Sequence, residues 1–266
     1  MVLAAGRGER MRPLTDKHPK PLLHVQGQPL ICYPLQALCR AGVNTAVINT
    51  GWLGDQIEPV LGKQFVSGDA SSPLQLLYSH EGRGAGEALE TAGGIVRALP
   101  LLEEVFWVCA GDVFAPDFPF SAQAHAQFKA STALAHIWLV PNPPHHPNGD
   151  FGVSPDGLAL NPVAQQTAPS TQSSPVASPV NTTVAAKEKN TFTTFTFSTI
   201  ALYKHAFFQA DWCSLPAGNP QGAKAPLAPM LRAAIDQGLV SASVYLGTWV
   251  DVGTPERLAL LNASPA

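Results

Sequence analysis

The order of apolar and turn-forming residues in this chain predicts an α/β fold with a mostly parallel central sheet and helices on both faces. Three observations support this prediction. Short apolar stretches typical of buried strands alternate with stretches of helical periodicity, and glycines and prolines separate them. Successive strand–helix–strand units are typical of parallel sheets. The chain has 266 residues, of which 45% are hydrophobic, so it can fill a substantial core.

Each element has a local signal in the sequence. Apolar runs predict strands at residues 2–4, 46–48, 74–78, 105–109, 133–140 and 194–198. Helical periodicity predicts helices at residues 29–41, 54–61, 85–99 and 227–237, with a last helix from residue 255. Gly42, Pro100 and Gly238 are the expected helix stops, and Thr254 is the expected N-cap of the last helix. Because ligands gather at the carboxyl ends of parallel strands, a site is expected where the first and fourth strands end.

Residues 161–193 break this pattern. The segment is rich in proline, serine, threonine, glutamine and alanine and has neither helical nor strand periodicity. Such a composition is typical of a solvated, flexible loop. We therefore expect one domain, residues 1–266, with a flexible insertion at residues 161–193.

The composition argues against several functions. The net charge of −3 gives no basic field that would attract nucleic acid or an anionic membrane. No apolar run reaches the length of about 18 residues that a transmembrane helix needs, and no basic segment precedes an apolar one at the N-terminus. None of the four cysteines belongs to a C-x-x-C pair, as expected for buried thiols in a reducing compartment. These features predict a cytoplasmic protein with small-molecule partners, and they leave its oligomeric state open.

The most informative segment is the loop that follows the first strand. It reads G-R-G-E-R-M-R-P-L-T from Gly6, and P-K-P-L follows from Pro19. The glycines let backbone N–H groups approach phosphate oxygens. Positive charge for a polyphosphate is available from Arg7, Arg10, Arg12 and Lys20. The spacing matches neither a P-loop nor a dinucleotide-binding fingerprint, so the loop predicts a nucleoside triphosphate site of another kind.

This loop resembles the signature of the sugar-1-phosphate nucleotidyltransferases, G-x-G-x-R-[ML]-x-P-L-T followed by P-K-P-L. Further motifs are similar to that family: L-E-T-x-G-G from Leu89, G-D at Gly111, H-H-x-x-G-D-F from His145 and W-x-D-x-G-T from Trp249. The resemblance implies a Rossmann-like three-layer sandwich of the nucleotide-diphospho-sugar transferase type. It also implies the transfer of a nucleotidyl group from a nucleoside triphosphate to a sugar 1-phosphate, with release of pyrophosphate.

The resemblance further implies roles for individual residues. The nucleotide-binding positions would be Ala5, Gly6, Gly8, Glu9, Arg10, Lys20 and Gly82. Arg10 would steady the departing pyrophosphate and Lys20 would reach the phosphates, so these two are the predicted catalytic residues. The substrate-binding positions would be Val113, Glu90 and Asp150.

Two aspartates are the predicted metal ligands. Asp112 follows an apolar strand, and Asp251 lies in the W-x-D-x-G-T motif. Either residue alone could equally serve a structural role in a turn, and the sequence by itself gives no reason to pair them. The resemblance pairs them as ligands of one Mg²⁺ ion. Such an ion takes few carboxylates and completes its shell with water and phosphate oxygens, so it can neutralise and align two anionic reactants.

The segment from Glu81 to Gly94 bears on the substrates. It is similar to the variant found in family members that use UTP and N-acetylmuramate 1-phosphate in cell-wall sugar recycling, and it therefore implies these two substrates. One alternative is a member of the family that uses glucose 1-phosphate with dTTP or UTP, or mannose 1-phosphate with GTP. Another is a catalytically silent regulatory protein that binds a nucleotide-sugar. Thr199 stands where many relatives have glycine, so its side chain could crowd the sugar.

Deletion of residues 167–187 is expected to change kcat and Tm little, because the composition of this segment is that of a solvated loop. Turnover and thermal unfolding of the deletion protein, measured beside the full chain, check this prediction. Loss of activity at an unchanged Tm would show instead that the segment closes over the sugar.

Overall fold

The computed structural model describes residues 1–68, 72–82, 88–162 and 192–263. Most of the predicted insertion lies outside the described residues, and so do residues 85–87 of the predicted third helix. In the described ranges the strands are β1 (Val2–Ala4), β2 (His24–Val25), β3 (Gln28–Pro29), β4 (Thr45–Thr50), β5 (Gln64–Phe65), β6 (Leu74–His80), β7 (Val105–Ala110), β8 (Val113–Phe114), β9 (Ala135–Val140), β10 (Phe151–Val153), β11 (Ala159–Leu160), β12 (Thr194–Lys204), β13 (Val240–Val244) and β14 (Val250–Asp251). The helices there are α1 (Cys32–Arg40), α2 (Ile57–Leu61), α3 (Glu90–Ala98), α4 (Ala122–Ala130), α5 (Leu227–Asp236) and α6 (Pro255–Ala263).

A ten-stranded sheet forms the centre of the described part of the chain. Its order is β11-β10-β12-β7-β1-β4-β6-β5, and β9 pairs with both β12 and β13. β6, β4, β1 and β7 run parallel to one another, whereas β12 runs antiparallel to β7 and β9. Later strands flank β1 on both sides, so the strand order reverses there. The crevice beyond the carboxyl end of β1 is therefore the position at which α/β sheets bind ligands.

Helices cover both faces of this sheet. Along β7 the buried side chains alternate, because successive strand residues point to opposite faces. Phe106 and Val108 belong to the core under α3 and α5, and Trp107 and Cys109 belong to the core under α1, α2 and α4. The predicted three-layer α/β architecture is confirmed.

A third, smaller core joins two distant parts of the chain. It contains Met11 from the loop after β1 and Val252 from the segment after β14. Asn262 of α6 strengthens this junction: its Oδ1 accepts a hydrogen bond from Gln26 N at 2.7 Å, and its Nδ2 donates to His24 O at 3.1 Å. The C-terminal part of the described chain, from β14 to α6, therefore packs against residues 11–33 beside the loop after β1.

The helices differ from the sequence prediction at several places. The predicted helix 54–61 is α-helical only from Ile57, after a 3₁₀ turn at Gly54–Gln56. α3 begins at Glu90, so residues 88 and 89 of the predicted helix 85–99 lie outside it. α1 begins at Cys32 rather than at residue 29, because Pro29 pairs with His24 between β3 and β2. The prediction also omitted α4, as it omitted the strand β13. At α6 the expected N-cap is confirmed, since Arg257 N donates to Thr254 Oγ1 at 3.4 Å. Within the described ranges, no helix has the length and apolar character needed to cross a membrane.

Candidate active site

The loop after β1 depends on Gly8. Its φ of +63° is a conformation that L side chains rarely adopt. A Cβ at this position would also lie 3.1 Å from Thr15 Cγ2 and 3.2 Å from Lys20 Cβ. Both the backbone and the available space therefore require glycine, and the stem of Lys20 packs directly against the loop. Lys20 is only 7% exposed, so packing holds its side chain in place.

The arginines of this loop point to different places. Arg7 Nη2 and Arg12 Nε both contact Asp16 Oδ1, at 2.8 and 2.9 Å. Arg7 Cζ also lies 3.8 Å from the ring centroid of Trp52, and the hydrogen bond from Arg7 lowers the pKa of Asp16. In this arrangement Asp16 pairs with both Arg7 and Arg12, and neither arginine lines the cavity that Arg10 and Lys20 line. Arg10, by contrast, makes no hydrogen bond or ion pair with any described residue.

β8 and β14 bring the two predicted metal ligands together. In this antiparallel pair Asp251 lies opposite Val113, the residue that follows Asp112. Lys20 Nζ lies 2.5 Å from Oδ2 of Asp112, and Arg257 Nη1 lies 2.8 Å from Oδ2 of Asp251. Oδ1 of each aspartate accepts no hydrogen bond from a described residue. Each carboxylate therefore has a cationic partner on one oxygen and a second oxygen available.

The adjacent histidines contact different acids. His145 Nε2 lies 2.9 Å from Arg257 Nη1 and 3.8 Å from Asp251 Oδ2. Desolvation and the nearby Arg257 lower the pKa of His145, which favours a neutral ring. His146 Nε2 lies 3.1 Å from Asp150 Oδ1. The two imidazole rings thus lie beside two different carboxylates, His145 near Asp251 and His146 near Asp150.

Two adjoining cavities lie beyond the carboxyl end of β1. Their volumes are about 620 Å³ and about 380 Å³, and Leu3, Gly6 and Asp112 line both. The predicted site residues in the wall of the smaller cavity are Gly6, Gly8, Glu9, Arg10, Lys20 and Asp112. Those in the wall of the larger cavity are Ala5, Gly6, Glu90, Asp112 and Asp150. Asp112 therefore stands at the boundary between the two cavities.

Three predicted site residues line neither cavity. Val113 is 5% exposed and packs in the core under α1. Gly82, with φ of +150°, follows the cavity-lining Glu81 at the end of β6. Asp251 lies beside Val113, and Gly253, two residues further on, lines the smaller cavity. The structure thus does not bring the side chain of Val113 to a substrate, and it leaves Gly82 and Asp251 at the margins of the cavities.

The sequence prediction missed a buried hydrogen-bonded network. Glu81 is 7% exposed; its Oε1 accepts from Asn49 Nδ2 at 2.6 Å and its Oε2 accepts from Leu89 N at 2.8 Å. Asn49 Oδ1 in turn accepts from Ala4 N at 2.8 Å. Burial raises the pKa of Glu81, and the two hydrogen bonds oppose that effect. The network ties the segment before α3 to the end of β1, and the position of both residues at carboxyl ends of parallel strands is the signal that could have found them.

The far end of the larger cavity is formed by β10 and β12. Asp150 Oδ2 accepts a hydrogen bond from Phe197 N at 2.8 Å. Thr199 lines the cavity and has φ of +63°, at a place where the pairing of β12 with β9 is irregular. A β-branched residue in this conformation is strained, and such strain is often found at functional sites.

The fold and the site together define a class of enzyme. Nucleotidyl transfer needs a glycine loop with cations, a pair of acidic side chains and a second cavity for another reactant. The described residues supply all three, with the acidic pair at the β8–β14 pairing. Residues 1–265 match the nucleotidyl transferase family, and the chain belongs to this family.

Individual relatives agree with this assignment. The chain is 41% identical over 264 residues to the N-acetylmuramate alpha-1-phosphate uridylyltransferase of Neisseria meningitidis serogroup B, a match that covers 97% of this chain and 94% of the relative. It is 36% identical over 182 residues to the protein of the same name from Caulobacter vibrioides, covering 64% of this chain and 70% of that protein. The solved inositol-1-phosphate CTP transferase of T. maritima superposes with a TM-score of 0.61 at 16% identity, covering 100% of this chain and 96% of that chain, and shows the shared fold alone. The resemblance noted from the motifs is confirmed.

Proposed function

We propose that this protein transfers the uridylyl group of UTP to N-acetylmuramate 1-phosphate, which yields UDP-N-acetylmuramate and pyrophosphate. The observation that carries the proposal is that two cavities meet at Asp112. The smaller cavity is lined by the cations Arg10 and Lys20, and the larger one has a size suited to a nucleoside and a sugar. The choice of substrates is supported by the Neisseria meningitidis relative, which matches 97% of the chain. We assign the reaction to cell-wall sugar recycling in the cytoplasm, a compartment in which free thiols such as the four cysteines of this chain are usual.

In this proposal the triphosphate occupies the smaller cavity. Backbone N–H groups between Gly6 and Gly8 face the phosphate oxygens, and Lys20 and Arg10 supply positive charge. Phosphoryl chemistry relies mainly on positioning and on charge stabilisation. Lys20 is held by packing and so suits a fixed contact with the phosphates, whereas the exposed Arg10 suits a pyrophosphate that must leave.

The oxygen atoms of Asp112 and Asp251 fit Mg²⁺. This ion prefers hard oxygen ligands and binds proteins through one or two carboxylates, and each aspartate has an Oδ1 without a hydrogen bond from a described residue. When bound, the ion would neutralise charge on the α-phosphate and on the sugar phosphate that attacks it. The protein's part is to hold the two carboxylates at a pair of strands: Asp251 lies in β14, and Asp112 directly precedes β8, the strand with which β14 pairs.

The larger cavity offers separate places for the base and the sugar. Glu81 and Glu90 line the end beside β6 and α3, and we assign this end, with the backbone of Gly82, to the base. Asp150 and Thr199 line the end beside β10 and β12, and we assign that end to the sugar. The phosphates of both reactants then meet at Asp112.

Pyrophosphate release across UTP, dTTP, GTP and CTP, each with several sugar 1-phosphates, tests the proposed substrates. The highest kcat/KM is expected for UTP with N-acetylmuramate 1-phosphate, in the presence of Mg²⁺. Glucose 1-phosphate with UTP or dTTP, and mannose 1-phosphate with GTP, are the competing pairs. A higher kcat/KM for one of them would reject the proposed substrates, and no turnover with any pair would favour a regulatory protein that binds a nucleotide-sugar.

A further inference from the structure

N-acetylmuramate differs from N-acetylglucosamine in one chemical group. It carries a lactyl ether, which ends in a carboxylate at neutral pH. An enzyme that prefers this sugar needs a cation at the sugar end of its cavity, in addition to the cations that bind phosphate. This requirement rests on the proposed function.

The wall of the larger cavity is poor in cations. Within the described part of the chain, its carboxylate, lysine, arginine and histidine side chains are those of Glu81, Glu90, Asp112, Asp150 and Arg232. Four of these five are acidic and would repel a carboxylate. Arg232 is therefore the cation that the described wall of this cavity offers to an anionic substituent.

Two contacts hold the guanidinium of Arg232 beside the cavity. Its Cζ lies 5.0 Å from the ring centroid of Phe151, a buried residue that also lines the cavity. Its Nη1 donates to Asn161 Oδ1 at 3.3 Å. A guanidinium that lies over an aromatic ring is held by a cation–π contact, and its fork of N–H groups can still bind a carboxylate with two hydrogen bonds.

The acid nearest along the helix does not neutralise Arg232. Asp236 lies one turn further along α5, the spacing at which an arginine and an aspartate commonly pair. Its Oδ1 instead accepts a hydrogen bond from Asn161 Nδ2 at 2.6 Å, and Arg232 forms no ion pair with any described residue. Asp236 is therefore hydrogen-bonded to Asn161 and does not pair with Arg232, whose positive charge remains available to a ligand.

We propose that Arg232 binds the lactyl carboxylate of the sugar substrate and so determines the preference for N-acetylmuramate 1-phosphate. Ala228 and Leu231 of α5 line the same cavity, and they give the methyl group of the lactyl ether an apolar contact. Arg232 takes no part in the transfer itself. Its contribution is to the binding of one sugar over others.

The test compares two substrates that differ only in the lactyl group, N-acetylmuramate 1-phosphate and N-acetylglucosamine 1-phosphate. Arg232→Gln is expected to raise KM for the first by about 10- to 100-fold, the worth of a hydrogen-bonded charge, with little change in kcat. KM for UTP, the kinetics with the second sugar and Tm should stay within about twofold or a few degrees of the wild type. Esterification of the lactyl carboxylate should raise KM for the wild type and have little further effect on Arg232→Gln.

A matched control is Arg40→Gln, since Arg40 is also an exposed helical arginine and lines neither cavity. If wild type uses N-acetylmuramate 1-phosphate and Arg232→Gln discriminates between the sugars as wild type does, the assignment of Arg232 is overturned and the proposed function stands. If wild type does not bind or turn over N-acetylmuramate 1-phosphate, both proposals fail.

Discussion

Replacing Asp112 by asparagine is expected to lower kcat by about a thousandfold, equivalent to about 4 kcal/mol of transition-state stabilisation. Asparagine keeps the shape of the side chain and removes its charge at the boundary where the two anionic reactants meet. The same change at Asp251 is expected to have an effect of similar size, because both carboxylates contribute to the proposed Mg²⁺ site. Tm should change by only a few degrees, since both aspartates are partly exposed and the asparagine oxygen can still accept the hydrogen bond from Lys20 or Arg257.

Pyrophosphate release at saturating UTP, sugar phosphate and Mg²⁺ measures this effect, and thermal unfolding reports on the fold. Asp211→Asn serves as the control, because Asp211 is exposed and lines neither cavity. Calorimetric titration of Mg²⁺ in the presence of UTP adds a readout independent of turnover. Wild-type activity in either the Asp112 or the Asp251 variant would remove that residue from the metal site.

Changing Glu81 to glutamine or Asn49 to aspartate is expected to destabilise the protein, and making both changes together is expected to restore most of the stability. Because both changes keep the size of the side chain, the effects report on the hydrogen bonds between them and not on packing. In Glu81→Gln, one of the two donors that face this side chain, Leu89 N or Asn49 Nδ2, meets an NH₂ group instead of an oxygen. The unsatisfied buried donor should reduce the free energy of unfolding by about 2 kcal/mol. In Asn49→Asp, two buried carboxylates face each other and repel.

The double variant Glu81→Gln with Asn49→Asp should recover most of this loss. Asp at position 49 can accept from both Ala4 N and the new glutamine amide, and the glutamine oxygen can accept from Leu89 N. Each single change is expected to lower Tm by several degrees and to raise KM for UTP, because the network positions the glycine loop relative to the base. Thermal unfolding and KM for UTP of all four proteins form a double-mutant cycle. A double variant as impaired as the sum of the single variants would show that this network does not position the site.

The central fold could be predicted because its signals are local. The apolar run from Val105 predicts β7, a strand buried on both faces, and the turn residue Gly238 predicts the end of α5. α4 could not be found in this way, because Phe128 is its one buried residue and its apolar periodicity is weak. β13 was missed although Val240 and Ala242 alternate with more exposed residues, a short pattern that the preceding helix obscures.

The candidate site could be predicted only where the chemistry follows from a motif. The sequence shows the cations of the loop after β1, but it does not show that Asp16 binds Arg7 and Arg12 and leaves Arg10 free. Glu81 begins a motif segment, but the motif does not show that it is a buried structural acid, since its partners are set by the packing of neighbouring strands. Such competition between side chains depends on three-dimensional proximity and is invisible along the chain.

The small core that joins the N-terminal segment to α6 also sets the order in which the molecule can fold. The hydrogen bond between Gln26 and Asn262 spans 236 positions, whereas β1, β4 and β6 can associate through far shorter loops. Closing so long a loop costs more chain entropy, and contacts of this kind form slowly. During synthesis, a chain from which β14 has not yet emerged contains Asp112 but not Asp251, so it lacks one of the two proposed metal ligands. Activity is therefore expected to arise only after β14 has emerged and has paired with β8.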